Sequence, residues 1–237
     1  QLWPSLNVIG KDVQWHHSVI FGSLLMAAGL PLPTLAVHGF ITLGGEKMSK
    51  SSSLGVDPLE LADRYHPDAI RYFLLREIPF GEDGDFSEEK LRAVYNGELA
   101  NGLGNLVARV ATLGERIGAA AFDFPSEIRP VLHTELEERF RNYQQAMEEL
   151  RLHEALAEIW RLIGFADRYI NDTKPWSIQD REEFRKVVIR AGWLVLVVAN
   201  LLTPFLPKTA ERIFSQFQIR DRVFEIKRGE GLFPRLG

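Results

Sequence analysis

Cysteine is absent from the 237 residues, which removes disulfide frameworks and every zinc or iron–sulfur site built on thiolates. Basic charge is not in excess: 28 Lys and Arg stand against 32 Asp and Glu, for a formal charge of -4. That balance argues against a protein that coats nucleic acid by bulk positive charge, while leaving local basic surface open. Histidine is sparse, six residues in all, and apart from the adjacent His16 and His17 the histidines are scattered. No metal site is therefore expected. The most apolar run, Ala191 to Leu206, is interrupted by Asn200, Thr203 and Pro204; it is too short to span a membrane and reads as a buried helix. A Gly-rich Walker sequence is missing too, which argues against an ordinary P-loop nucleotide hydrolase.

What is present is apolar material, 46% of the chain, enough for the core of one large domain or two small ones. Its pattern changes near residue 87. Leu6 to Ile9 is a short apolar run ending at Gly10, Lys11 and Asp12, the pattern of a buried strand opening into a functional loop. A helix is predicted from His16 or His17 to Ala28. An extended segment follows through Leu35, Val37, Phe40, Ile41 and Leu43, closed by Gly44 and Gly45. Asp57 and Pro58 predict a helix start, His66 and Pro67 break that helix, and Pro67 opens another through Leu75. Gly81, Gly84 and Asp85 are expected in a loop. Beyond Ser87 the apolar residues keep helical spacing in four stripes, beginning near Leu91, Leu132, Leu156 and Phe184. The fold class expected is an α/β fragment over residues 1–86 followed, over 87–237, by an all-α helical bundle running to about residue 217 and a C-terminal tail.

The run from Glu46 to Ser53 is small, polar and preceded by two glycines, so a mobile loop is expected. Lys47 and Lys50 stand three apart within it, and two ammonium groups on such a loop suit a triphosphate whose charge redistributes as pyrophosphate leaves. A solvated surface loop is the alternative reading of the same composition.

Lys47-Met48-Ser49-Lys50-Ser51 resembles the KMSKS signature of class I aminoacyl-tRNA synthetases. An ordered series around it is similar to the methionyl-tRNA synthetase family: Gly10-Lys11-Asp12, His17, Ala28 to Pro33, Val37-His38-Gly39, Asp57-Pro58, Arg71-Tyr72, Asp83 to Ser87, Leu99-Ala100-Asn101, Lys174-Pro175-Trp176 and Leu232 to Arg235. The resemblance covers essentially the whole chain. It implies that the first part is the C-terminal part of a Rossmann-type catalytic domain and that the bundle binds an anticodon. It also implies a two-step reaction, in which methionine and ATP give methionyl-adenylate and pyrophosphate before the methionyl group passes to tRNA(Met).

The same resemblance implies the site residues. Lys50 would contact the triphosphate in the transition state, with Lys47 assisting. Gly10 and Asp12 would contact the ATP ribose, and Asp12 also reads as a helix cap. His38, Gly39 and Ile41 would lie beside the phosphates and adenine. His17 would line the methionine pocket; its other reading is a satisfied histidine at a helix start. Arg109 and Trp176 would face the anticodon, although a tryptophan at a helix end also suits core packing, and Val110 after Arg109 reads as a departure from the family's surface there. Magnesium would accompany ATP, and a cytoplasmic location goes with the activity. No HIGH signature occurs in the chain. The family pattern therefore implies a C-terminal half, excised or separately encoded, whose N-terminal catalytic half is supplied in cis or in trans; alone it is expected to be inactive. The alternative is a stand-alone tRNA-binding protein that never activates methionine.

Overall fold

The computed structural model describes residues 6–47, 57–121, 123, 128 and 135–236. Strand β1 (Leu6–Gly10) pairs in parallel with β2 (Thr34–His38), in a register that sets Leu6 against Thr34 and Gly10 against His38. The crossover between them is helical. A 3-10 turn, Lys11–Val13, leads to a π-wound turn, His16–Phe21, continued by α1 (Gly22–Ala27). The apolar run predicted as one strand is two, because the chain breaks at Gly39. A side chain there would collide with the Glu82 carbonyl, since a Cβ would lie 2.1 Å from its oxygen.

After the break, β3 (Ile41–Leu43) begins a different sheet. It pairs antiparallel with β4 (Glu46–Lys47) across Gly44 and Gly45, and parallel with β5 (Gly84–Phe86). Two expectations are corrected here. Glu46 and Lys47 are strand rather than loop, and Gly84 to Phe86, read as loop, form β5. The rest of the lysine-bearing loop, Met48 to Ser53, lies outside the described residues.

Helices α2 (Pro58–Tyr65) and α3 (Pro67–Glu77) start as their residues dictate. Asp57 accepts the Leu59 N–H at 2.8 Å, and His66, at φ 68°, accepts the Asp68 N–H. Ser87 caps α4 (Glu88–Val94), which runs through a π-wound segment, Tyr95–Gly104, into α5 (Asn105–Glu115) as one long rod. Helices α6 (Glu135–Glu148), α7 (Leu152–Thr173) and α8 (Arg181–Leu202) supply the other three stripes. The stripe expected from Leu132 begins, among the described residues, with Leu136.

The tail beyond about residue 217, given no secondary structure in the sequence reading, opens with two strands. After α9 (Pro207–Gln216), β7 (Phe217–Arg220) and β8 (Val223–Ile226) form a hairpin, and β8 also pairs with β6 (Ala120–Ala121). The hairpin packs on the bundle where Gly114 leaves room, since a Cβ there would lie 2.3 Å from the Ile226 side chain.

One continuous core joins α2, α3 and Phe86 to the bundle, through Tyr65, Ala69, Tyr72 and Phe73 on one side and Leu99, Leu156 and Leu194 on the other. Polar ties reinforce the packing. The buried Asp68 accepts the Thr209 N–H and Oγ–H at 2.7 and 2.8 Å, and Arg71 donates to the carbonyls of Pro204 and Phe205. The β1–β2 layer, by contrast, is half covered: Ile9, Leu25 and Ala36 are buried, while Val8, Trp15, Leu24, Met26 and Leu32 are each more than half exposed. A parallel pair ordinarily has both faces covered. No helix among the described residues is long and apolar enough to cross a membrane.

Candidate functional site

Parallel pairing brings the carboxyl ends of β1 and β2 side by side, so Gly10 stands next to His38. A Cβ on Gly10 would lie 2.8 Å from Asp12 Oδ1 and 3.7 Å from His38 Cε1. Glycine thus leaves bare backbone between an exposed carboxylate and an imidazole, a shape that admits close approach by a polar ligand. Asp12 lies inside the 3-10 turn, whose cap position belongs to Gly10, and the following π-wound turn is entered through Trp15, whose own side chain makes no cap hydrogen bond. His38 Nδ1 lies 2.9 Å from the Gly39 carbonyl oxygen, which tethers the ring to the chain just beyond β2.

Two aspartates of the Asp83 to Ser87 stretch, part of the ordered series but not expected in the site, hold this end of the molecule in place. Asp83 receives the Lys11 ammonium at 2.5 and 2.7 Å and the Phe40 N–H at 2.8 Å. Asp85 receives the Gly45 N–H at 2.9 Å and the Thr42 hydroxyl at 2.8 Å, bracing the turn from which the Lys47-bearing strand departs. Both carboxyls are held below the ordinary aspartate value. For Asp83 the chief cause is the hydrogen bond from Lys11, and for Asp85 the Gly45 N–H followed by the Thr42 hydroxyl.

His17 is half-buried, its Nδ1 lying 3.0 Å from the Val13 carbonyl and its ring edge-on to Phe21. It lines an open cavity of about 590 Å³ with His16, Phe21 and β1 residues from Leu6 to Ile9. Ile41 is exposed at the start of β3, in the sheet beyond the Gly39 break. Lys47 belongs to β4, and Lys50 lies outside the described residues.

Arg109 and Trp176 meet at a separate place. Lys174, in the left-handed conformation at φ 45°, ends α7, and the 3-10 turn Pro175–Ser177 carries Trp176, which is 56% exposed. Together with Ala108, Thr112, Leu113 and Ile170, these two residues line a cavity of about 290 Å³. Arg109 is fixed at its floor by Asp167, which accepts from Nη1, and by Asn171 Oδ1, which accepts from Nη2 at 2.7 Å. A guanidinium whose plane is set in advance, beside an exposed indole, can hydrogen-bond and stack an unpaired base. Val110 is fully buried in the core, so that position does not face the surface beside Arg109. Sequence spacing could not have found Asp167 and Asn171, which lie 58 and 62 residues from their partner.

Among the described residues no group of three or more His, Asp or Glu side chains could hold a metal ion. Residues 2–111 match the family model for class I (M) tRNA synthetases, and residues 124–232 match the model for the anticodon-binding domain of methionyl-tRNA ligase. A methionine–tRNA ligase of Caldanaerobacter subterraneus subsp. tengcongensis is 38% identical over 99% of this chain, and one of Thermotoga maritima is 37% identical over 93%. The chain spans only 40% and 36% of those two relatives. The solved structure of Mycobacterium tuberculosis methionyl-tRNA synthetase in complex with methionyl-adenylate aligns over 98% of this chain and 50% of its own length, at TM-score 0.84 and 32% identity.

Proposed function

Because this chain belongs to the methionyl-tRNA synthetase family, we propose that it supplies the C-terminal part of the catalytic core and the anticodon-binding bundle of a methionine–tRNA ligase. The observation that carries the reading is the convergence of Gly10, Asp12 and His38 at the carboxyl ends of two parallel strands. Ligands of open α/β sheets bind outside such strand ends.

In this reading residues 1–86 serve activation and residues 87–237 serve the tRNA. Gly10 and Asp12 hold the ATP ribose, while His38, Gly39 and Ile41 lie along the phosphates and adenine. His17 borders methionine. Lys50, with Lys47, stabilises the negative charge that builds on the triphosphate as pyrophosphate departs. Asp85 braces the Gly45 turn and so sets the point from which the lysine segment leaves the sheet. The methionine carboxylate is already a nucleophile, so this step needs positioning and charge stabilisation more than proton transfer. Magnesium arrives on the ATP phosphates. Arg109 and Trp176 take the anticodon of tRNA(Met), and the complete enzyme works in the cytoplasm. The exposed apolar face of Val8, Trp15, Leu24 and Met26 is covered by an N-terminal catalytic half, in cis or in trans.

The test is adenylate formation. The 237-residue chain alone should give no ATP–pyrophosphate exchange, and the completed enzyme should. In the completed enzyme, Lys50→Ala should lose about 2.7 to 4 kcal/mol of transition-state stabilisation, the scale of one such electrostatic contact. A wild-type single-turnover rate in that variant removes Lys50 from the site. Binding of tRNA without exchange, even after completion, would favour the stand-alone tRNA-binding reading.

A further inference from the structure

A second cavity, of about 550 Å³, opens on the bundle and is lined by Arg76, Arg139, Arg161 and Arg168 together with Glu98 and Trp160. Four guanidinium groups and one carboxylate thus line it, and Arg76 also lies 3.8 Å from Glu77. Glu98 is already engaged, because the Tyr72 hydroxyl donates to it and Arg76 Nε lies 3.6 Å away. The other nearby carboxylate, the buried Glu158, is shared by Arg139, at 3.1 Å, and Arg161. Trp160 stacks on Tyr72 with ring centroids 4.3 Å apart, and its buried indole N–H has no hydrogen-bond partner. Arginine forks arranged around an aromatic wall are the chemistry that receives phosphate oxygens.

The cavity also has an address. Arg161 and Arg168, seven residues apart, lie on one face of α7, and Asn171, at the Arg109 cavity, comes three residues after Arg168. From Arg161 to Asn171 the helix rises about 15 Å, the rise of four to five stacked nucleotides at about 3.4 Å each. An RNA strand taken at Arg109 and Trp176 therefore has its backbone within reach of the arginines.

We propose that the Arg76–Arg139–Arg161–Arg168 cavity is a backbone-phosphate site for the tRNA whose anticodon is taken at the far end of the same helix. The site rests on the anticodon reading for its choice of RNA, yet it contributes affinity without sequence discrimination, because phosphate contacts position while base contacts specify.

The experiment measures tRNA binding by the complete synthetase carrying Arg161→Gln and Arg168→Gln, over a salt series, with tRNA(Met) and with an anticodon-altered version. Expected is an equal fold-loss of affinity for both RNAs and a log K against log salt slope shallower by about 1 for each phosphate no longer neutralised, with wild-type melting. Wild-type affinity and slope in the folded variant would overturn the proposal. So would a lowered melting temperature with an unchanged slope, the signature of a purely structural ion-pair network. Arg168→Gln alone, which leaves both Glu158 pairs in place, is the second variant should the double variant melt early, and it must show the shallower slope. Inorganic phosphate is the control for a free-anion site: saturable phosphate binding that disappears in the variant, with tRNA affinity and slope unchanged, overturns the RNA assignment. Failure of the anticodon reading gives a different result, since wild-type enzyme would then hold the two tRNAs equally while the arginine variants still altered the slope.

Discussion

Replacing Asp68 by alanine should destabilise the protein more than its place in the first turn of α3 suggests. Helix α9 starts at Pro207, and its cap position, Leu206, offers no side-chain acceptor. The first N–H groups of a helix have no partner within it. Asp68, 141 residues away in sequence, supplies one, accepting the Thr209 N–H at 2.7 Å and the Thr209 hydroxyl at 2.8 Å, with both residues almost fully buried. Hydrogen bonds to a charged acceptor contribute about 1.5 to 3 kcal/mol each. Truncating Asp68 also leaves the buried Thr209 donors unsatisfied, at about 1 to 3 kcal/mol. The expected loss in Asp68→Ala is therefore about 3 to 5 kcal/mol, and at about 2 to 4 °C per kcal/mol for a chain of this size the melting temperature should fall by roughly 10 °C. Calorimetric unfolding checks the size, and a cycle with Thr209→Val checks the origin. Asp68→Asn, which keeps one acceptor oxygen, should lose about half as much. A melting shift in Asp68→Ala of less than about 2 °C would refute the capping role.

Trp176→Ala should weaken tRNA binding by the stacking of one base, about 1 to 3 kcal/mol, and leave melting near wild type, since the indole is 56% exposed. A stability loss of about 3 to 5 kcal/mol would mean the ring is core instead. The Asp85 carboxyl, held below its usual value near 3.8 by the Gly45 N–H and then the Thr42 hydroxyl, should make the β3–β4 turn acid-labile. Its depressed folded pKa means the stabilisation is fully present above that usual value and is lost as pH falls through the folded one. Hydrogen exchange of the Gly45 amide should therefore lose protection on acidification below about pH 4. Asp85→Asn should abolish that response, and an identical acid response in the variant would remove Asp85 as its cause.

Helical stripes were legible because four segments each repeat apolar residues at the helical period, and starts at Asp57, Pro67 and Ser87 were legible because capping is local chemistry. Strand β5 was not, since Gly84–Phe86 becomes a strand only by pairing with β3, some forty residues earlier in the chain. The terminal hairpin was missed for a different reason. Its turn places Asp221 and Arg222 at φ 49° and 61°, where the usual Asn-Gly or Asp-Gly signal is absent. The candidate site divides in the same way. Gly10, His38, Arg109 and Trp176 were named as site residues from ordered motifs, whereas Asp83 and Asp85, though inside such a motif, and Asp167 and Asn171, outside any, gain their roles only through folding. Their signal is a hydrogen bond across 40 to 72 residues, and no window along the chain contains both partners.

The shared core has a practical meaning for anyone dissecting the molecule. A bundle cut out at residue 87, where the sequence changes character, would leave behind the helix that carries Ala69, Tyr72 and Phe73, all wholly covered in the intact chain. It would also leave the start of α9 without its borrowed acceptor and the Pro204–Phe205 carbonyls without Arg71. Such a piece would present a greasy trench to solvent and invite self-association. A soluble excised bundle should instead begin no later than Asp57, keeping α2 and α3 as its lid.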